Sequence, residues 1–337
     1  MNLTERIDWA VQLGSYLRSE DPEWLEARDQ AHRSNPWFIP PFIDQAIDQI
    51  ASAYLDRDHL IRWAADESVP DQVENPMTVG IVMAGNLPLV GFHDWLCTFI
   101  SGHHARIKLS GQDAVFFQHI QKTLIAWNSQ LAPYVQLAER LTGSDAYIAT
   151  GSDNTARYFE YYFGKFPHII RKNRTSVAVL DGQESPADLE KLSEDIYTYF
   201  GRGCRNITHL LAPRNYDFQP LLQSGQAFQY LSDFHKYKNN YDYQLAICLL
   251  NKEFYMTNGI ALLVERPSVF APISMVHYSY YDNREEVDRW MHDHSDQLQC
   301  RLGSFGQPFG TVQQPALHDY ADGVNTLQFL GSLQPVS

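Results

Sequence analysis

A cysteine preceded by two glycines and flanked by two arginines is the first residue of this chain with chemistry in reach. It is Cys204, in "TYFGRGCRNITHLLAP", residues 198–213. Gly201 and Gly203, just before it, let a ligand approach the backbone closely. A thiol in cationic surroundings ionises more readily, and the thiolate is the nucleophile. Arg202 and Arg205 supply the cations. The alternative is a partly buried cysteine at a helix C-terminus, with both arginines solvated.

More candidates lie on three turns. Asn86 follows an apolar run in "MAGNLP", Lys108 and Ser110 follow another in "IKLSG", and Gly151 and Ser152 follow a third in "ATGSDN". In open parallel sheets, ligands sit beyond the carboxyl ends of strands. A helix N-terminus with free N–H groups and a hydroxyl, as Gly151-Ser152 offers, is a phosphate site. Each residue also has a plain reading. Asn86 can be a turn former, Lys108 a solvated side chain, and Gly151-Ser152 a turn with an N-cap. Neither a G-x-G-x-x-G fingerprint nor a P-loop is present.

Alternating strands and helices are needed to position these residues. Residues 77–85 read as a buried parallel strand, and 86–102 as a helix with Pro88 near its start and Gly102 at its end. Residues 104–110 are a second strand, followed by a helix over 113–127 with Asp113 as N-cap. Residues 146–150 are a third strand, opening a helix whose aromatics between 158 and 166 read as packing residues. After a strand over 175–182, the spacing predicts a helix over 186–200. Ser185 caps it, Pro186 fills its first position, Asp188 closes a capping box, and Leu189, Leu192, Ile196 and Phe200 form its buried stripe. Residues 206–213 are one more strand. Such alternation predicts an α/β protein built on a parallel sheet.

Residues 1–70 read as helical, with Phe42, Ile43, Ala46, Ile50 and Tyr54 near one face. Beyond residue 213, "YQLAICLL", "GIALLVE" and "SMVHYSYY" read as strands of a second layer or domain. A length of 337 residues exceeds what one core usually serves, so domains over 1–180 and 181–337 are expected.

The net charge of −14 argues against nucleic acid or an anionic membrane as a bulk partner, but not against an anionic small molecule held by local basic residues. The cysteines Cys97, Cys204, Cys248 and Cys300 have no paired spacing, so neither a disulfide framework nor a zinc knuckle is expected. The first residues carry no signal-peptide pattern, and no stretch approaches the ~20 apolar residues of a spanning helix; a cytoplasmic protein is expected. His103-His104 and the pair His292 and His294 suggest no metal site, because residues two apart on a helix do not face each other. His209 reads as an acid–base group or as a core hydrogen-bonding residue.

Taken in order, the turns resemble the aldehyde dehydrogenase superfamily: Asn-x-Pro after a strand, Lys-x-Ser after the next, Thr-Gly-Ser after a third, then a cysteine after a long helix. "VFAP", residues 269–272, resembles that superfamily's Phe-x-Pro motif and adds Phe270. The stretches "GIVMAGNLPLVGFHDWLCTFISGHHARIKLS", "ATGSDNTARYFEYYFGKFPHIIRKNRTSVAVL" and "YFGRGCRNITHLLAP" are similar to the short LuxC-like acyl-CoA reductase branch. That likeness runs from about residue 35 to "LHDYADGVNTLQFL".

The resemblance implies an aldehyde-dehydrogenase-like fold. A parallel-sheet dinucleotide-binding domain would be followed by a second α/β domain carrying the nucleophile. It implies reduction of a fatty acyl thioester, an acyl-CoA or acyl-carrier conjugate, to an aldehyde. Cys204 would form a thioacyl intermediate. The Asn86 amide and the Cys204 N–H would stabilise the oxyanion. Lys108, Ser110, Gly151, Ser152 and Phe270 would hold a nicotinamide cofactor. The chain also departs from the superfamily pattern. "IIRKNRTSVAVL" lacks the glutamate that activates water in hydrolytic members, and Ser268 stands where a glutamate holds the nicotinamide ribose. Gly111 replaces the acid that holds the adenosine ribose, so a 2′-phosphate is not repelled and NADPH is favoured, with NADH as the alternative. Other readings are a CoA-acylating or oxidising aldehyde dehydrogenase, or a non-catalytic subunit that holds an acyl group for a protein partner. A homo-oligomer is left open.

Overall fold

The structure, a computed structural model, describes residues 1–151 and 153–334. The described residues fall into two compact units, one of residues 1–173 with the tail from Pro315, the other Arg174–Gln314.

The first unit opens with helices α1 (Leu3–Leu17), α2 (Pro22–Ser34), α3 (Pro40–Gln49) and α4 (Arg57–Asp66). Asn2 and Glu5 form a capping box on α1, and Asp21 and Asp56 cap α2 and α4, so orphan N–H groups are satisfied locally. Phe42, Ile43, Ala46, Ile50 and Tyr54 are all buried, as their spacing predicts.

The sheet of this unit follows as β1 (Thr78–Val82), α5 (Phe92–Ser101), β2 (His104–Lys108), α6 (Ala114–Trp127), β3 (Gln136–Leu137), β4 (Ala146–Thr150), α7 (Asp153–Phe163) and β5 (His168–Arg171). Among the described residues the strand order is β3-β2-β1-β4-β5, with every pair parallel. Helix α5 starts only at Phe92, because Leu89 has a φ of 56° and turns the chain first; Gly102 ends it in the left-handed region.

The second unit comprises β6 (Thr175–Val179), α8 (Pro186–Tyr197), β7 (Ile207–Pro213), α9 (Gln219–Ser224), α10 (His235–Asn251), β8 (Met256–Thr257), β9 (Leu262–Glu265), β10 (Met275–Tyr281), α11 (Arg284–Asp293) and β11 (Leu298–Gly303). Its sheet order is β11-β6-β7-β10-β9-β8, parallel except for the β8–β9 pair. The segment "YQLAICLL", expected as a strand, lies inside α10. Tyr241 and Cys248, seven apart, bury one side of that helix against Leu262, Val264 and Met275, and Leu249 and Leu250 stay exposed. A short apolar run carries no period that separates a helix from a buried strand.

The boundary differs from the expected one. Strand β6 pairs with β7 and β11, so the second unit begins at Arg174 and not at 181. The tail returns to the first unit through α12 (Thr326–Gly331), which packs on α5. Trp63 Nε1 donates to the Tyr320 hydroxyl at 2.9 Å, and Arg171 Nη2 donates to Thr326 Oγ1 at 2.8 Å. Arg171 also pairs with Asp94 in the interior.

Candidate functional site

Strand order in the first unit reverses between β1 and β4, which makes the crevice beyond their carboxyl ends the ligand position of an open α/β sheet. Four of the predicted residues lie at that edge. Asn86 lies four residues past β1, Lys108 ends β2, Ser110 follows it, and Gly151 directly follows β4. The β1 and β2 turns touch: a Cβ on Gly85 would stand 2.5 Å from Ser110 Oγ and 3.1 Å from the Asp113 nitrogen, so a larger residue cannot sit there. Asn86 and Ser110 are half-buried, Lys108 is exposed, and Ser110 Oγ accepts from the Gln112 N–H at 3.3 Å. The Gly151 N–H donates to the Arg171 carbonyl at 3.3 Å, and a Cβ at Gly151 would stand 3.0 Å from Thr155 and Phe159 of α7. Ser152 lies outside the described residues.

Asp113 has a role that its local sequence does not show. It occupies the N-cap position of α6 but makes no side-chain capping bond. Its Oδ2 instead accepts the Leu89 N–H at 2.7 Å, fixing the loop that carries Asn86. Burial pushes this carboxyl well above the usual carboxylate range, and the Leu89 bond only partly opposes that.

In the second unit the capping box on α8 is as read: Ser185 Oγ accepts the Asp188 N–H at 3.2 Å, and the Ser185 N–H donates to Asp188 Oδ2 at 3.1 Å. Leu189, Leu192, Ile196 and Phe200 are buried. The helix nevertheless ends at Tyr197, short of the predicted residue 200. Tyr199, Phe200 and Gly201 then adopt φ values of 55°, 60° and 68°. Left-handed backbone costs a non-glycine residue roughly 1–2 kcal/mol, so packing must hold it. Phe200 is locked against Phe234 and Tyr237 at ring distances of 5.5 and 5.4 Å. Buried Asn206 donates to the carbonyls of Thr198 (2.8 Å) and Asp195 (3.0 Å) and accepts the Gly203 N–H (2.7 Å). Ser176 Oγ donates to the Cys204 carbonyl at 3.0 Å.

Cys204 therefore sits exposed on a turn pinned from both sides, whereas Cys97, Cys248 and Cys300 are buried. Burial lowers the Arg202 guanidinium to about 10. Arg205 Nη1 donates to Cys300 Sγ at 3.5 Å. Asn206 and Ser176 were not identifiable from the sequence, since their partners are backbone groups placed by the fold.

Strand β7, which follows the cysteine turn, also reaches the Phe270 loop: Thr208 Oγ1 donates to the Val269 carbonyl at 2.8 Å. Phe270 is half-buried beside the cluster of Val177, Val179, Leu211 and Val269. His209 has the core role. Nδ1 bonds the Ser268 carbonyl and Nε2 the Ser279 hydroxyl, each at 3.1 Å, and burial pushes the ring down to about 4, so it is neutral. The aromatics of α7 divide. Phe163 stacks on Tyr147 at 4.1 Å, but Tyr158, Tyr161 and Tyr162 are exposed and not packing residues. Among the described residues no group of three His, Cys, Asp or Glu could hold a metal, and no helix is long and apolar enough to cross a membrane.

No protein-family model and no curated protein matches the chain. Solved structures do. The fold is that of the aldehyde dehydrogenases. An aldehyde dehydrogenase from Mycobacterium tuberculosis, complexed with NAD+, matches 87% of this chain and 71% of its own at 14% identity and a TM-score of 0.60. One from Bacillus cereus, also an NAD+ complex, matches 90% and 72% at 13% identity and a TM-score of 0.62. An NAD-dependent aldehyde dehydrogenase from Sinorhizobium meliloti matches 90% and 70% at 10% identity and a TM-score of 0.63. At such identities the likeness is one of fold. The aldehyde dehydrogenase fold agrees with the α/β architecture implied by the motif order.

Proposed function

We propose that the chain is an NADPH-dependent reductase of acyl thioesters, of the LuxC-like acyl-CoA reductase branch, that releases an aldehyde. The observation that carries this reading is Cys204, the exposed thiol on a strained turn held by Asn206 and Ser176. Strain kept at one position by surrounding packing is a mark of functional sites. The NAD+ complexes of the structural neighbours support a nicotinamide dinucleotide. The crevice beyond β1 and β4 fits one, since Gly85 closes the turns together and a Cβ at Gly111 would meet no atom within 4 Å. Lys108, Ser110, Gly151, Ser152 and Phe270 are the residues that would hold it. The open space at Gly111, where the superfamily's acid is missing, with Lys108 exposed on the same turn, favours a 2′-phosphate.

In this reading the Cys204 thiolate attacks the thioester carbonyl. The tetrahedral oxyanion collapses, the carrier thiolate leaves and takes up a proton, and the acyl group remains on Cys204. A reduced nicotinamide supplies the hydride when bound. The Cys204 sulfur is the leaving group of the final collapse, which frees the aldehyde and restores the thiolate. Asn86 serves as a donor to the oxyanion, worth roughly 3 kcal/mol in comparable sites. A second reading, oxidation of an aldehyde with acylation of coenzyme A, runs the same steps in reverse and is favoured by the names of the structural neighbours.

Incubating the protein with acyl-CoAs of graded chain length and NADPH or NADH tests the proposal. Loss of reduced-nicotinamide absorbance together with a trapped aldehyde is expected. Oxidation of aldehydes with no reduction of any thioester would overturn it in favour of the second reading.

A further inference from the structure

The loop joining β9 to β10 carries Phe270, and three consecutive carbonyls in it are bonded by side chains. Ser268 is the unusual one. Its carbonyl receives Nδ1 of His277 at 2.8 Å and Nδ1 of His209 at 3.1 Å. A carbonyl only accepts, so both rings carry their proton on Nδ1, and both lone pairs of that oxygen are used. The two histidines are register partners across the parallel β10–β7 pair. They therefore point from neighbouring strands at one atom. The next carbonyl, Val269, accepts from Thr208 Oγ1 at 2.8 Å, and the Phe270 carbonyl accepts from Ser268 Oγ at 3.0 Å.

Both imidazoles are buried, His277 Nε2 has no partner among the described residues, and the His209 ring lies against Trp290 with centroids 4.9 Å apart. Burying a polar atom without a partner is costly. A leucine would fill the His277 position without that cost, so packing alone does not account for a histidine there. What histidine adds is the N–H aimed at the loop. Thr208 lies four residues beyond Cys204, on the strand that leaves the cysteine turn. The strand that leaves the cysteine turn thus also grips the Phe270 loop.

We propose that His209, His277 and Thr208 are positioning residues, which hold the backbone of residues 268–270 so that Phe270 keeps a fixed place relative to Cys204. The inference rests on the function proposed above only for what Phe270 would do, namely hold the reduced nicotinamide. It also accounts for Ser268: its hydroxyl proton is committed to the Phe270 carbonyl, within the loop itself.

The test compares His277→Leu, which removes one N–H, with His277→Asn, whose amide can place a donor where Nδ1 stands. Thr208→Val, a change of nearly equal shape that also removes the 2.6 Å bond with Thr175 Oγ1 while leaving Thr175 its Asn206 carbonyl, serves as an independent variant should His277→Leu fail to fold. Hydrogen exchange by mass spectrometry on the peptide covering 266–274 is read first. His277→Leu and Thr208→Val should speed exchange there by about tenfold, the loss of one net hydrogen bond, while the β10 amides keep parental protection. His277→Asn should restore slow exchange. With NADPH and acyl-CoA, the leucine and valine variants should raise the KM for NADPH by about tenfold. Acylation of Cys204 without nicotinamide should stay parental. Parental exchange in the loop in both variants, or no rescue by asparagine, would overturn the proposal. So would equal damage to acylation and to the NADPH KM. Should the parent bind no reduced nicotinamide, the function above falls, while the exchange comparison still decides the positioning role.

Discussion

The carboxylate of Asp113 accepts the backbone N–H of Leu89 at 2.7 Å across 24 residues of chain. This single bond ties the turn after β2 to the loop after β1, where Leu89 is held at a φ of 56° and Asn86 is displayed. Asp113→Ala leaves a buried N–H unpaired and should cost about 1–3 kcal/mol of stability. It should also slow acylation by displacing Asn86. Asp113→Asn keeps an acceptor oxygen without a buried charge and should restore both. Denaturant midpoints and acylation rates of the two variants give the check, and an alanine variant as active and stable as the parent would remove this role.

Asp195 predicts how stability depends on pH. It is fully buried, and burial raises its carboxyl from 3.8 to about 7 although the Gly310 N–H donates to Oδ2 at 2.7 Å. The folded state binds this proton more tightly than the unfolded chain. Its contribution is therefore complete below about pH 4 and is lost as pH rises towards and through 7, a swing on the order of 4 kcal/mol. Asp195→Asn keeps an acceptor and cannot ionise. Relative to the parent it should gain stability steadily between about pH 4 and 7 and level off above that. Urea midpoints that shift in parallel across that range would show that Asp195 does not titrate there.

Asn206→Ala should loosen the cysteine turn. The side chain is buried, donates to the Thr198 and Asp195 carbonyls and accepts the Gly203 N–H. A loss of about 2–4 kcal/mol is expected from the groups left unpaired. The rate of thiol labelling at Cys204 should change while Cys248, buried elsewhere, remains unlabelled. Unchanged thermal stability would contradict this.

The nucleophile can be identified directly. Exposure to an acyl-CoA without nicotinamide should leave an acyl adduct on the parent and none on Cys204→Ala, which should bind NADPH as before. Asn86→Ala should still acylate, slower on the order of 100-fold. Intact-protein and peptide mass spectrometry decide the matter; an adduct on Cys97, Cys248 or Cys300 would mean that the nucleophile is not Cys204.

Gly111→Glu addresses cofactor choice. No atom lies within 4 Å of a Cβ placed there, so the new side chain acts by charge and not by collision. NADPH affinity should fall about tenfold relative to NADH, as a carboxylate repels the 2′-phosphate. Equal weakening of both cofactors would show that the adenosine ribose is not near this residue.

What the sequence determines by itself is local. Ser185, Pro186 and Asp188 specify the start of α8 because capping involves residues within one turn, and Leu189, Leu192 and Ile196 specify its buried face. The apolar runs read over 77–85, 146–150 and 206–213 hold strands at 78–82, 146–150 and 207–213, since doubly covered parallel strands are apolar throughout. The turns bearing Asn86, Lys108, Ser110, Gly151 and Cys204 were legible for the same reason. Tertiary structure decided what depends on distant partners. Nothing local tells Tyr199 and Phe200 to turn left-handed; the packing of Phe200 on Phe234 and Tyr237 and the bonds of Asn206 impose it. Asp113 makes no capping bond because its Oδ2 is engaged by the buried Leu89 N–H, 24 residues away. The run at 243–250 is helical because Tyr241 and Cys248 find a sheet to cover. The tail from Pro315 rejoins the first unit because Tyr320 and Thr326 meet Trp63 and Arg171, 257 and 155 residues away, and pairings at such separations leave no period in the sequence.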